Sequence, residues 1–135
     1  MTPKQYLEQA RFIDKEISCK LRQLGILRSY VTTMTSRCDG MPRGETRYTA
    51  GISTTVARIV DLEREIDEAI DGLITLKRDI LRAIDAIEKP ELRLVLGERY
   101  LHLKPWREIA ELLDCDIRTA HRYHSAALKE FKIIS

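Results

Sequence analysis

Apolar positions recur along this chain with a period of seven. In the first segment Ala10, Ile17, Leu24 and Val31 form one series, and Tyr6, Ile13, Lys20, Leu27 and Met34 form a second, three or four positions away. Further on, Ile52, Ile59, Ile66, Leu73, Ile80 and Ile87 make an unbroken series; Val56, Ile70 and Ile84 flank it in a seam interrupted by Glu63 and Lys77. Side chains seven apart return to one side of a helix after two turns, so both segments predict long helices with left-handed coiled-coil packing. At about 1.5 Å per residue they would be roughly 48 and 55 Å long. Thr2, Pro3 and Gln5 predict the first helix start as an N-cap, a first-turn proline and a capping box. The stretch containing Gly40, Pro42, Gly44 and Gly51 reads as a connecting loop of about fifteen residues. Such a loop between helices of similar length predicts an antiparallel, coiled-coil-like hairpin over residues 1–88, with Lys20 near Glu63 or Asp67. No strand is expected, because the β-branched run Val31-Thr32-Thr33 is short and has no partner.

The second helix also carries Val60, Leu62, Ile74, Leu76 and Leu81 outside its main seam. A two-helix hairpin covers one stripe, so this surplus must meet the C-terminal region, a second copy or another partner. A homodimer through the hairpin is the reading taken.

From Pro90 the spacing changes. Leu92, Val95, Leu96, Tyr100 and Leu103 outline a short amphipathic helix ending near His102-Leu103. Pro105 starts a second, with Trp106, Ile109, Ala110 and Leu113 on one face and Trp106 anchoring it against the helix from Pro90. Asp114-Cys115 makes a tight turn, and Asp116 caps a third helix running to about Phe131. Its inward face is expected to hold Ile117, Ala120, His124 or Tyr123, Ala127, Leu128 and Phe131. Two short helices joined by so few residues form a helix-turn-helix, whose steep crossing the small Ala110 and Ala120 permit. The fold class is therefore all-α: a long antiparallel hairpin over 1–88, followed by a three-helix helix-turn-helix unit over 89–135.

Composition bounds the function. The chain has 135 residues, 44% apolar and 33% charged, enough to bury a core and too apolar for disorder at a formal charge of +2. The longest uncharged stretch, Tyr48 to Ala57, is too short to span a membrane, and the N-terminus lacks a signal-peptide layout. Cys19, Cys38 and Cys115 are odd in number and widely spaced, as in a reducing compartment. A cytoplasmic protein without membrane association is expected.

The pattern Leu96-x-x-Arg99-Tyr100-Leu101, Trp106-x-x-Ile109-Ala110-x-x-Leu113, Asp116-x-x-Thr119-Ala120 and Ala127-Leu128 resembles the DNA-binding C-terminal region of sigma-70-type factors. Asp114 stands where that pattern usually has Gly, Cys115 where a branched apolar residue is common, and Asp116 where Ser is common. The whole chain, with its heptad hairpin and Met41-Pro42-Arg43-Gly44 loop, is similar to a family of phage and prophage proteins of Gram-positive bacteria grouped with phage late-gene transcription regulators. The resemblance implies transcription regulation on double-stranded promoter DNA in a bacterial host cell, with RNA polymerase as a further partner.

The outward face of the last helix carries the residues a DNA reader needs. Arg118, Arg122 and Ser125 are spaced four and three apart, with Thr119 and His121 beside them. Such a helix fits the major groove, where Arg pairs with guanine and Ser, Thr or His reach bases or phosphates. Lys129 and Lys132, and Lys104 and Arg107 around the preceding helix start, are placed for phosphate contacts. A solvated helix face is the plain alternative.

Other chemistries fare worse. His121, His124 and Cys115 lack a fourth ligand for a metal, and Cys115 precedes the helix. Glu65-x-x-Glu68 and Asp85-x-x-Glu88 echo the paired acidic motifs of all-α nucleotide pyrophosphohydrolases. On one helix they would lie about 30 Å apart at 1.5 Å per residue, too far to share an ion. No nucleophile elbow, phosphate loop or HExxH is present, so no catalysis, cofactor or metal is expected. A DNA-packaging subunit of the small-terminase type and a purely structural coiled-coil adaptor are the alternatives to a regulator.

The +2 total is an average over unlike segments. Residues 1–60 carry ten basic and five acidic side chains, residues 61–90 five and nine, and residues 91–135 eight and seven. From Asp116 to Lys132 the balance is four against two, with two histidines besides. So small an excess predicts weak non-specific affinity, with occupancy dependent on a dimer or on polymerase.

Overall fold

A computed structural model describes residues 1–38 and 45–134, with side chains for 1–36 and 50–134. All its regular elements are helical: α1 (Pro3–Cys38), α2 (Glu45–Asp85), α3 (Pro90–Leu96) running on into a π turn (Gly97–Leu101), α4 (Trp106–Leu112) and α5 (Ile117–Glu130). No strand occurs among the described residues. The expected loop residues Gly40, Pro42 and Gly44, the Met41-Pro42-Arg43-Gly44 motif and the Cys38 side chain lie outside the described set. Gly51, expected in that loop, is inside α2, so the connection is shorter than the spacing of glycines implied. Correspondingly α1 and α2, with 36 and 41 residues, exceed the lengths read from their heptads.

Local chemistry accounts for the helix ends. The Thr2 N–H donates to Gln5 Oε1 at 2.9 Å and the Gln5 N–H to Thr2 Oγ1 at 3.2 Å, a reciprocal capping box at Pro3. In the connection between α2 and α3 the Arg93 guanidinium donates to the carbonyls of Ile87 and Glu88, both at 2.7 Å, tying the short link to the start of α3. The run Val31-Thr32-Thr33 stays helical, and Thr32 Oγ1 donates back to the Arg28 carbonyl at 3.0 Å.

The long helices pack as a hairpin, and the chain forms two compact units: Lys15–Asp71, and Met1–Asp14 together with Gly72–Ser135. The first is built from hairpin alone. Ile17, Leu24 and Ile66 are buried, and Leu27, Val31, Ile52 and Ile59 half-buried, as the seven-residue series require. The flanking seam of α2 differs from expectation here. Val56 and Ile70 are exposed, while Thr55, Leu62 and Ala69 are half-buried in their stead. A seven-residue repeat admits a second seam at either three or four positions from the first, and α1 meets the three-position side. Lys20 does not reach Glu63 or Asp67. It lies 4.0 Å from Glu65, while Glu63 accepts from Arg28 Nη2 at 2.8 Å.

The second unit joins the first turns of α1 and the last turns of α2 to α3, α4 and α5. Leu7, Ala10, Ile80, Ile84 and Ile87 are buried in it alongside Leu92, Val95, Leu96, Tyr100 and Ile109. Tyr6 of α1 meets Phe131 beyond α5, with ring centroids 6.0 Å apart. These units do not coincide with the boundary read at 88/89, because the ends of both hairpin helices supply core to the C-terminal helices.

Candidate nucleic-acid interface

The helix-turn-helix is assembled by α4 and α5 against α3. Asp116 Oδ1 accepts from the Thr119 N–H at 2.9 Å, the expected cap of α5. Hydrogen bonds from Thr119, side chain first and backbone second, hold the Asp116 carboxyl below the usual carboxylate range. The turn before it has Asp114 at φ 51°, the left-handed region where Gly is usual, and the Cys115 N–H donates to the Ala110 carbonyl at 3.0 Å. Inside, Ala120 and Ala127 are fully buried and Ala110 nearly so, which lets the helices approach closely.

The inward face of α5 is Ala120, His124 and Ala127, leading to Phe131, while Tyr123 and Leu128 are half-buried. His124, not Tyr123, takes the central position. Its Nε2 lies 2.7 Å from the Tyr100 hydroxyl. Burial, then the positive charges of Lys4, His121 and Arg99, push the imidazole down to about 4; burial and then Glu8 push the Tyr100 phenol up to about 12. Both are therefore neutral over the physiological range. Ile117, expected inward, is 46% exposed, because it occupies the first helical position, ahead of the turn that meets α4.

The outward face holds the predicted residues. Arg118, His121, Arg122, Ser125 and Lys129 are all exposed, and Thr119 is half-buried by its engagement with the Asp116 cap. His121 meets Trp106 in a tilted arrangement, ring centroids 4.1 Å apart, and Trp106 also meets His124 edge-on at 5.0 Å. The Arg99 guanidinium lies over the indole at 4.8 Å. Trp106 thus joins the π turn and α4 to α5, a wider anchoring than contact with the helix from Pro90 alone. Burial, followed by Arg11, lowers Arg99 from its ordinary value.

The two further cations differ. Arg107 is exposed in the first turn of α4, whereas Lys104 is half-buried, with Nζ 3.3 Å from Glu98 Oε2. Glu98 also meets His102 Nδ1 at 3.2 Å, so the Lys104 charge is partly neutralised within the protein. The exposed Ile117, at the start of α5, is a candidate contact residue that sequence reasoning did not select. Ile117 fits the inward pattern by hydrophobicity alone.

Among the described residues no group of His, Cys, Asp and Glu is arranged to hold a metal ion, and no helix is long and apolar enough to cross a membrane. No family model, curated protein or solved structure matches the chain.

Proposed function

We propose that this protein is a DNA-binding transcription regulator of phage or prophage type, whose α5 reads the major groove of promoter DNA. The observation that carries the reading is the division of α5 into two faces. Ala120, His124 and Ala127 hold it to the rest of the unit, leaving Arg118, Arg122, Ser125 and His121 exposed on a capped helix directly after a tight turn. In this reading Arg118 and Arg122 pair with base edges, Ser125 and Thr119 reach bases or phosphates, and Lys129, Arg107 and Lys104 contact the backbone. The hairpin sets the oligomeric state or touches RNA polymerase.

Selection of bound duplexes from a random pool or phage genomic DNA, followed by titration at several salt concentrations, tests this. A preferred duplex should emerge, with affinity falling as salt rises. Arg118→Ala and Arg122→Ala should each weaken it by about 1–3 kcal/mol, roughly five- to 150-fold, with helical content unchanged. Absence of salt-sensitive binding to any duplex at low ionic strength refutes the proposal. Ring-shaped assemblies selective for packaging sites would instead indicate a DNA-packaging subunit.

A further inference from the structure

The C-terminal half of α2 presents an apolar face that the described chain leaves open. Ile74 and Leu81 are 51% and 47% exposed, and Leu94 of α3 is 45% exposed. Leu81, Pro90, Leu94 and Leu101 line a groove of about 450 Å³ between α2 and α3 with its π turn. A second depression of similar volume, lined by Ile74, adjoins it and shares Leu81 and Leu101.

Charge along this face is polarised about Leu81. On α2, Lys77 and Arg78 lie one turn before it and line the second depression, and Asp85 lies one turn after it and lines the groove. Arg93, Glu98 and His102 also line the groove, but Arg93 is engaged by the Ile87 and Glu88 carbonyls and Glu98 by His102 and Lys104. None of Lys77, Arg78 and Asp85 has an ion-pair partner among the described residues. Positions 77, 81 and 85 fall on one side of the helix, so an apolar centre is bracketed by cations on one side and an anion on the other. Such a pattern is complementary to itself under a two-fold rotation. Two α2 helices crossing antiparallel at Leu81 bring Lys77 and Arg78 opposite Asp85 of the partner subunit, and the symmetry repeats the contact. The same crossing directs each Ile74 toward the Pro90–Leu94 end of the other groove. A parallel crossing would set cations against cations.

We infer that a second copy of this chain docks on this face, α2 antiparallel to α2 about Leu81, to form a two-fold dimer held by Leu81 and Ile74 and registered by the Lys77/Arg78–Asp85 pairs. The contact is independent of DNA reading, and its test contains no nucleic acid.

Sedimentation velocity at 5–100 µM should show a dimer for the natural sequence. Lys77→Glu with Arg78→Glu should weaken dimerisation at least tenfold, and Asp85→Lys should do the same, because each sets like charges against each other twice. Mixing the two variants in equal amounts should restore the dimer, since both charge clusters are then complementary. Leu81→Glu should give a monomer, and circular dichroism should show all variants equally helical. A monomeric natural protein overturns the inference. So does a dimer indifferent to these charges, or a mixture that stays monomeric. Because the rescue compares variants that each alter only exposed or half-buried charge, misfolding of Leu81→Glu leaves it decisive.

Discussion

The Tyr100 hydroxyl and Nε2 of His124 lie 2.7 Å apart inside the helix-turn-helix unit, where the two residues are only 2% and 8% exposed. Each is the other's buried polar partner, linking the π turn to the middle of α5. Tyr100→Phe keeps the ring but strands the imidazole nitrogen, and should cost about 1–3 kcal/mol in chemical denaturation.

The same pair gives stability a pH dependence with a definite sign. His124 is held down to about 4 in the folded protein, against an ordinary value near 6.5. Between those values the unfolded chain binds the proton and the folded chain does not, so stability is full above pH ~6.5 and falls as pH drops toward ~4. Tyr100, raised to about 12, acts at the other extreme: stability falls above pH ~10, where the unfolded phenol ionises first. Denaturation midpoints across pH for the natural sequence and for His124→Gln should differ chiefly in the acid window, where the variant loses the slope.

Leu7 is fully buried in the unit containing the helix-turn-helix, although it lies in the second turn of α1. Leu7→Ala should destabilise that unit by about 2–5 kcal/mol through lost burial and the cavity left behind. Trp106, the single tryptophan, reports the loss by fluorescence. A fragment beginning at residue 89 lacks this support and should unfold far more readily than the full chain.

Asp114 sits at φ 51°, a conformation that costs side-chain-bearing residues energy that glycine does not lose. Asp114→Gly should therefore raise stability by up to about 1 kcal/mol, less the unfolded-state entropy that glycine adds. Two positions later the outcome reverses. Asp116→Ala removes the acceptor for the Thr119 N–H and should lower the melting temperature, and Asp116→Ser should recover most of the loss.

Arg28 and Glu63 form a 2.8 Å pair, but their side chains are 60% and 43% exposed. Water and salt screen such a contact, so Arg28→Ala should cost less than about 1 kcal/mol. A double-mutant cycle with Glu63→Gln measures the coupling directly.

Much of the helical plan was readable along the chain because its determinants are local. The capping box at Thr2 and Gln5, the cap at Asp116 and the breaks at Pro90 and Pro105 each depend on residues within one turn of each other. The series through Ile17, Leu24, Ile66, Leu73 and Ile80 declared its buried side by period alone. Of the candidate interface, the exposed positions Arg118, Arg122 and Ser125 follow from helical spacing once Asp116 starts the helix.

By itself, then, the sequence determined where helices begin and end and which main stripe of each is apolar. It left open which side of that stripe a neighbour covers, and only tertiary structure decided it. Leu62 is partly covered while Val56 and Ile70 are not, His124 rather than Tyr123 turns inward, and Ile117 stays outside. Lys104 is engaged by Glu98, and Trp106 meets both Arg99 and His121. Those outcomes depend on the rotation and approach of helices distant in sequence, which hydrophobic periodicity constrains only to within about one position, or roughly 100° of helical turn.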